Sequence, residues 1–346
     1  MANNCTYIIL LNWNGWRDTI ACLDSVFQSV DSPFRVVVCD NNSSDESLLK
    51  IAAWARGEIP AEAPEDRRLQ AFIGDTVRPV EHINLTASAI EAGCVVDRGE
   101  PLILIDNEQN LGFAAGNNVG LRYALSQPDM SHVWILNNDT LVEPGCLAAM
   151  QRRLLRETTP KVCGSVIHFF DNPATIQAIG GNRFNKRTGV ASQSEGRFRP
   201  ENELDDCNLI EQKIDYVSGC SMLIPRGLLE SVGLLNEDYF LYYEEIDWFT
   251  RAGESSRPCI AVDAHVYHRE GGSIGSPSWT QATPSLLADF HIFRSKHLFM
   301  RKYHRDNLLW CYLHSCMEIG KRVLRGQFQN ARVVLSVVMG ATSYRP

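Results

Sequence analysis

The residues best suited to chemistry in this sequence follow an apolar run near the middle of the chain. Residues 134–136 (Trp-Ile-Leu) fit a buried strand, and residues 137–139 (Asn-Asn-Asp) come directly after it. In open α/β sheets, ligands bind beyond the carboxyl ends of the strands. Asp139 carries one negative charge, which can anchor Mg²⁺ or Mn²⁺ if substrate phosphates and a second protein ligand complete the coordination shell. We therefore predict that Asp139 is a metal ligand.

His268 is a candidate for the second protein ligand. It follows Val266 and Tyr267 and precedes a Gly-Gly pair, Gly271 and Gly272. An imidazole ligand would favour Mn²⁺ slightly over Mg²⁺. The alternative is that His268 has a structural role beside the glycine turn.

Three acidic residues are predicted to lie in the first turn of a helix that ends at Gly253. Asp247 precedes Arg251 by four residues, the spacing of an ordinary helical salt bridge. Glu244 and Glu245 therefore remain the two candidates for acid/base chemistry.

The elements that position these groups are predicted to form an α/β sheet. Apolar strands are predicted to end at Asp40, Asp106 and Asp139, and the β-α-β opening of the chain implies a parallel, right-handed crossover. An aspartate after a strand can also form a turn or cap a helix. Glycines 112, 116 and 120 clear one side of a predicted helix, so that either a ligand or a strand packs closely against it.

The rest of the chain is predicted more coarsely. Further strands are expected at 162–170 and 216–225, where the sheet is predicted to be complete, and 171–213 is a polar stretch between them. Residues 57–100 are the least predictable segment, where either an inserted flap or a strand pair around 76–85 is expected. From Leu286 onward the pattern is helical.

Charge and cysteine content indicate the cellular setting. The formal net charge is −8, but residues 291–346 contain ten Lys or Arg against Asp306 and Glu318. This asymmetry suggests that residues 290–345 meet an anionic membrane surface, whereas the alternative is a solvated helical face. A third interpretation is that the aromatic residues of this segment cover the catalytic core. Eleven cysteines without a CxxC pair, and no apolar run long enough to span a bilayer, favour a cytoplasmic protein.

Five ordered segments together resemble the family 2 glycosyltransferases of the rhamnosyltransferase-like branch, over about residues 5–275. These segments are Asn12–Gly15, Asp40–Asp45, Asn110–Asn118, Leu136–Thr140 and Tyr242–Asp247. The resemblance implies a GT-A fold, in which a single mixed, mostly parallel sheet is flanked by helices and one half is Rossmann-like. It places a catalytic domain at 1–285, with 57–100 as a variable insertion, and a basic helical extension at 286–346.

The resemblance also implies roles for individual residues. Asp40 resembles the family's base-recognising aspartate, and Asn137 and Asp139 match the first and last places of its DxD metal motif. His268 matches a histidine that completes metal coordination, and Glu245 matches the usual catalytic base. Because Glu replaces Asp at position 245, its carboxylate is displaced by about 1.5 Å, so that Glu244 stays an alternative base. The implied donor-binding residues are Asn12, Asp40, Asn42, Asn110, Gly112, Asn117 and Asn138.

The function implied is the inverting transfer of a sugar, with rhamnose favoured, from a dTDP- or UDP-sugar to a hydroxyl of a glycan or lipid-linked saccharide in cell-surface polysaccharide synthesis. The expected cofactor is Mg²⁺ or Mn²⁺, and nucleic acid is not an expected partner. A sugar nucleotidyltransferase is the first alternative, although Arg17 is the only early candidate for its basic phosphate loop. A non-catalytic nucleotide-sugar-binding protein is the second, suggested by the neutral Asn137 and by Glu245.

Overall fold

Five parallel strands form the first half of the central sheet. The computed structural model describes residues 4–29, 32–94, 99–192, 196–201, 210–253, 256–269 and 283–344. The strands are β1 (Cys5–Asn12), β2 (Phe34–Asp40), β3 (His82–Thr86), β4 (Leu102–Asp106) and β5 (Met130–Asn137), and they lie in the order β3-β4-β2-β1-β5. Most of their residues are apolar and buried, because helices cover both faces of the sheet. These helices are α1 (Trp16–Ser29), α2 (Ser47–Ala55), α3 (Arg67–Gln70), α4 (Ala87–Glu91) and α5 (Gly112–Ser126).

The second half of the sheet is mixed. It continues from β5 in the order β12-β7-β13-β6; β12 is antiparallel to both neighbours, and β13 is parallel to β7. A smaller sheet has the order β10-β9-β11. The elements of this half are β6 (Thr140–Val142), α6 (Cys146–Leu154), β7 (Cys163–Phe169), β8 (Asn172–Ile179), β9 (Gly181–Asn185), β10 (Val190–Ser192), β11 (Tyr216–Val217), β12 (Ser221–Pro225), α7 (Arg226–Val232), α8 (Glu244–Ala252) and β13 (Cys259–His268). The predicted α/β class, with a mixed and mostly parallel main sheet, is confirmed.

The stretch 171–213, predicted only to be polar, holds β8, β9 and β10, whose partly exposed residues lack the apolar runs of core strands. Two other details of the sequence-based prediction are wrong. The single strand predicted at 216–225 is divided between two sheets, and β13 joins the main sheet after it. The strand pair expected around 76–85 is replaced by β3, an edge strand parallel to β4.

The glycine row of α5 packs against strands. A Cβ added at Gly116 would lie 2.6 Å from Leu11 Cδ1, and one added at Gly120 would lie 2.8 Å from Cys39 Sγ. Both distances are shorter than van der Waals contact, so the helix can lie this close to β1 and β2 only with glycine at these positions. Of the two predicted partners for this face, the strand is the one observed at Gly116 and Gly120.

Three helices follow the sheet, as the sequence predicted from Leu286 onward: α9 (Leu286–Tyr303), α10 (Leu308–Leu324) and α11 (Phe328–Val338). Phe290, Phe293 and Phe299 of α9 are buried. Asp247 of α8 accepts hydrogen bonds from Lys302 Nζ and Tyr303 Oη of α9. The aromatic residues of α9 therefore belong to the protein interior. Among the described helices, none combines the length and apolarity that a bilayer span requires.

Candidate active site

A cavity of about 740 Å³ lies beyond the carboxyl end of β5. This volume is in the range typical of small-ligand sites. Eight residues that the sequence singled out line it: Asn110, Gly112, Asn137, Asn138, Asp139, Glu244, Glu245 and His268. The cavity thus gathers the predicted metal ligands and both candidate acids, although they are separated by more than a hundred positions in the chain.

Strand pairing brings Asp139 and His268 together. The chain turns sharply at residues 138–139 between β5 and β6, and β6 pairs with β13 in a register that places His268 opposite Thr140. As a result, Nε2 of His268 lies 3.2 Å from Oδ1 of Asp139 and 3.2 Å from Nδ2 of Asn137. The three residues proposed for the cation form one cluster.

Gln177 of β8 is a cavity residue that the sequence analysis missed. Its Oε1 lies 3.1 Å from Nδ1 of His268. An amide oxygen can only accept, so Nδ1 of His268 carries the proton in this contact, and Nε2 is directed toward Asp139. A second partner of this kind fixes the ring orientation of a metal-binding histidine. β8 lies in the stretch 171–213, which was predicted only to be polar, and no sequence signal pointed to Gln177.

The charges around His268 favour its protonated form in the absence of a cation. Burial by itself would lower the pKa of His268, but the neighbouring acidic groups of Cys220 and Asp139 raise it well above the usual range. Oδ1 of Asp139 is buried and has no well-aligned hydrogen bond with the part of the chain that the structure describes. Within the described residues, no third His, Cys, Asp or Glu completes a metal cluster. The donor set therefore fits a divalent cation whose remaining ligands come from a bound diphosphate.

The two candidate acids begin α8. Gly219 donates its backbone N–H to Oε1 of Glu245 at 3.0 Å. Burial raises the pKa of Glu245, while hydrogen bonds from its own backbone N–H and from that of Gly219 oppose the shift. Glu244 is only 3% exposed, and its Oε2 has no hydrogen-bond partner among the described residues. Burial and then the charge of Glu245 raise the pKa of Glu244 well above the ordinary value.

The backbone directly before the two acids has unusual conformations. Tyr242 and Tyr243 have φ angles of 65° and 77°, in the left-handed region that most residues avoid. Tyr243 donates its hydroxyl hydrogen to the carbonyl of Gly189. Gly112 has a φ of 77°, and a Cβ there would lie 2.3 Å from the carbonyl oxygen of Phe240. These contacts hold the start of α8 and the start of α5 against the same cavity.

Asp247 does not line the cavity. Its carboxylate receives hydrogen bonds from Arg251 Nε at 2.7 Å and from Lys302, Tyr239 and Tyr303. The predicted salt bridge with Arg251 is confirmed. Burial opposes ionisation of Asp247, but these hydrogen bonds outweigh it and lower its pKa.

Four of the predicted donor-binding residues lie outside the cavity lining. Asp40 accepts from Asn12 Nδ2 at 2.5 Å and from both the backbone N–H and the hydroxyl of Ser43. Asn42 is exposed, and Asn117 is buried and donates to the carbonyl of Phe113. Asn12 Oδ1 also accepts from Thr19, which in turn accepts from Asn138. In this structure Asn12 and Asp40 belong to a hydrogen-bonded network that joins the ends of β1 and β2.

Several cavity residues were not predicted from the sequence. They come from loops, from strands of the second half of the sheet and from α9. Trp13 and Asn41 fall within the segments that resemble the family, and the others stand in no pattern that marks a site. Examples are Trp13, Asn41, Asn182, Ser218, Phe240 and His291. These residues reach the cavity only through the tertiary structure.

Comparisons with known proteins find similarity to glycosyltransferases. The family model described as glycosyl transferase family 2 matches residues 86–232, a segment that contains Asn137–Asp139 and Gly219 but ends before Glu244. The low-salt glycan biosynthesis hexosyltransferase Agl10 of Haloferax volcanii is 29% identical over 190 residues. The match covers 52% of this chain and 56% of that protein, so the chain spans about half the length of this relative.

Solved structures agree with the fold. The mannosyltransferase PcManGT from Pyrobaculum calidifontis, in complex with GDP-Man and Mn²⁺, aligns with a TM-score of 0.50 at 16% identity over 98% of this chain and 76% of its own. GalNAc-T7 with UDP, GalNAc and Mn²⁺ aligns with a TM-score of 0.53 at 12% identity over 89% and 50%. At such identities the likeness is one of fold, and it matches the GT-A architecture expected from the sequence. The chain is thus similar to glycosyl transferase family 2 over residues 86–232.

Proposed function

We propose that this protein transfers a hexose from a nucleoside diphosphate sugar to a hydroxyl of a glycan or lipid-linked saccharide, with inversion at the anomeric carbon. One observation carries the proposal: a single cavity is lined both by the Asp139–His268 pair and by Glu244 and Glu245. Such a reaction needs stabilisation of a departing diphosphate and a base for a weakly nucleophilic hydroxyl. The two groups of residues match these two needs.

Glu245 is the proposed base. Its carboxylate accepts a hydrogen bond from Gly219, which orients it, and burial raises its pKa toward the range in which a carboxylate can accept a proton from an acceptor hydroxyl. Glu244 is the alternative base, but its deeper burial keeps it protonated to a higher pH. Direct attack by the deprotonated hydroxyl on the face opposite the leaving group inverts the anomeric carbon.

Asp139, His268 and Asn137 are proposed to hold Mg²⁺ or Mn²⁺ beside the donor diphosphate. The bound cation would neutralise the charge that develops on the leaving group. Gln177 keeps the proton of His268 on Nδ1, which leaves Nε2 available as a ligand. The imidazole ligand favours Mn²⁺.

The donor is proposed to be a dTDP- or UDP-sugar, with rhamnose favoured by the resemblance to the rhamnosyltransferase-like branch. Asn110, Gly112 and Asn138 line the cavity and would contact the donor. Asn12, Asp40, Asn42 and Asn117 are proposed for the nucleoside side, where Asp40 would recognise the base. The relative Agl10 is named as a low-salt glycan biosynthesis hexosyltransferase, which supports a hexose and a role in glycan biosynthesis. The proposed setting is cell-surface polysaccharide synthesis.

The proposed organisation is a catalytic unit at residues 1–285, with 57–100 as its variable part, followed by a helical extension at 286–346. We propose that the protein works in the cytoplasm on acceptors held at the membrane surface. This setting would account for the basic character of the extension.

The test is nucleotide release from a donor panel. We expect the purified full chain with Mn²⁺ and a glycan acceptor to release nucleoside diphosphate from dTDP- or UDP-sugars. A sugar nucleotidyltransferase would instead form pyrophosphate, and a binding protein would form neither product.

The variant Glu245→Gln tests the assignment of Glu245 as the base. This variant should bind the donor normally and lose turnover, because the amide cannot accept the proton. Turnover near the unsubstituted level would show that Glu245 is not the base, and Glu244→Gln would then identify whether its neighbour is.

A further inference from the structure

The outward face of α10 is apolar. Leu309, Leu313, Met317 and Leu324 are all exposed, and Leu324 is 89% exposed. At about 100° per residue these four positions fall within roughly a quarter of the helix circumference. The opposite side of α10, with Cys311 and Ser315, is buried against the protein. The helix is therefore apolar on the side where a water-facing helix carries charge.

The next helix repeats this pattern. Phe328 and Leu335 of α11 and Met339 at its end are exposed at spacings of seven and four residues, which places them on one stripe. Exposed arginines accompany the two stripes: Arg325 lies in the turn between the helices and Arg332 lies on α11. Apolar stripes flanked by basic side chains are typical of helices that lie in a membrane interface.

The charge of this part of the chain distinguishes between a second copy of the chain and a lipid surface as the partner of this face. Residues 291–346 carry a formal charge of about +8, whereas the rest of the chain carries about −16. Lys302 and Arg322 are paired with Asp247 and Asp289, so the exposed Arg325 and Arg332 supply the positive charge beside the stripes. In a symmetric dimer built on this face, these arginines would approach those of the second copy, because a two-fold interface is self-complementary. An anionic lipid surface attracts the basic residues and takes up the apolar side chains. We propose that the outward faces of α10 and α11 bind the surface of an anionic bilayer.

α9 connects this face with the candidate active site. Leu287, His291 and Ile292 of α9 line the active-site cavity. Leu286 and Phe290 of the same helix line a second groove, of about 640 Å³, together with Arg332. A bilayer on α10 and α11 would therefore lie near the cavity that receives the acceptor. The link to a lipid-linked acceptor rests on the proposed function, but binding to lipid does not.

The experiment is co-sedimentation of the full chain with vesicles that contain no saccharide. We expect binding to phosphatidylglycerol vesicles at low salt, weaker binding at high salt, and little binding to phosphatidylcholine alone. Leu313→Ser combined with Leu324→Ser should weaken binding at least about tenfold, since two apolar side chains no longer enter the interface. Leu49→Ser, at a 68% exposed apolar position on α2, is the matched control and should bind normally.

Arg325→Gln with Arg332→Gln tests the electrostatic part without touching the apolar stripes, and it should reduce the salt dependence. Failure of the unsubstituted chain to bind anionic vesicles would overturn the proposal, as would equal binding by the double serine variant. A stripe-dependent dimer in light scattering, without vesicle binding, would identify a second copy of the chain as the occupant. Loss of donor turnover with vesicle binding retained would contradict only the proposed function.

Discussion

Replacing Gly219 by alanine should displace the carboxylate of Glu245 without unfolding the protein. A Cβ at residue 219 would lie 2.5 Å from Oε1 of Glu245 and 3.1 Å from its Cδ. Ordinary van der Waals contact begins at 3.4 Å, so the carboxylate oxygen must move by about 0.9 Å. The atom that must move is the end of a flexible side chain, and the backbone at 219 is not in the left-handed region. We therefore expect the side chain of Glu245 to move while the backbone keeps its fold.

The expected effect on catalysis is large. A misplacement of about 1 Å at a reacting group can cost about 10²-fold in rate, which corresponds to about 2.7 kcal/mol of activation free energy. We expect kcat for sugar transfer by Gly219→Ala to fall by this factor, while donor binding measured by calorimetry stays near normal. Gly227→Ala is the matched control: Gly227 lies in α7 with no heavy atom within 4 Å of an added Cβ, so kcat should not change.

The result that would refute this reasoning is a Gly219→Ala enzyme with kcat within about threefold of the original and an unchanged melting temperature. Such a result would mean that the position of Glu245 does not control the chemical step, and the base would have to be sought elsewhere. A large drop in melting temperature would instead show that the strain falls on the fold.

Three further predictions concern the same cavity. Gln177→Ala should weaken Mn²⁺ binding, measured calorimetrically with nucleoside diphosphate present, about 10- to 100-fold because His268 loses the partner that orients it; unchanged affinity would exclude this role. The acid limb of kcat/KM against pH should lie above the ordinary glutamate pKa of 4.5, because burial raises the pKa of Glu245 and the base works only when deprotonated; a limb at or below that value would contradict the assignment. Glu244→Gln should raise the melting temperature at neutral pH. The pKa of Glu244 is higher in the folded protein than in the unfolded chain, so the original protein loses stability as the pH rises above the unfolded-state pKa toward the folded-state pKa. The gain should therefore vanish below pH 4.5, where Glu244 is protonated in both states. A gain that persists below that pH would have another cause.

The alternation of apolar runs and polar strand ends was sufficient to predict the architecture. β1, β2, β4 and β5 appear where the sequence placed them, because fully buried parallel strands require uninterrupted apolar residues. β8 and β9 were missed, since partly exposed strands with mixed composition resemble loops in a single sequence. The salt bridge between Asp247 and Arg251 could be predicted because its partners are one helical turn apart.

The order of residues along the chain was thus sufficient to predict that Asp139 follows a strand and that Glu244 and Glu245 begin a helix. The tertiary structure decided how they meet. The pairing of β6 with β13 sets His268 beside Asp139, and the break between β11 and β12 sets Gly219 against Glu245. Gln177 reaches His268 only because β8 lies next to β7. Such contacts depend on strand register between segments far apart in the chain, which residue type and spacing do not encode locally.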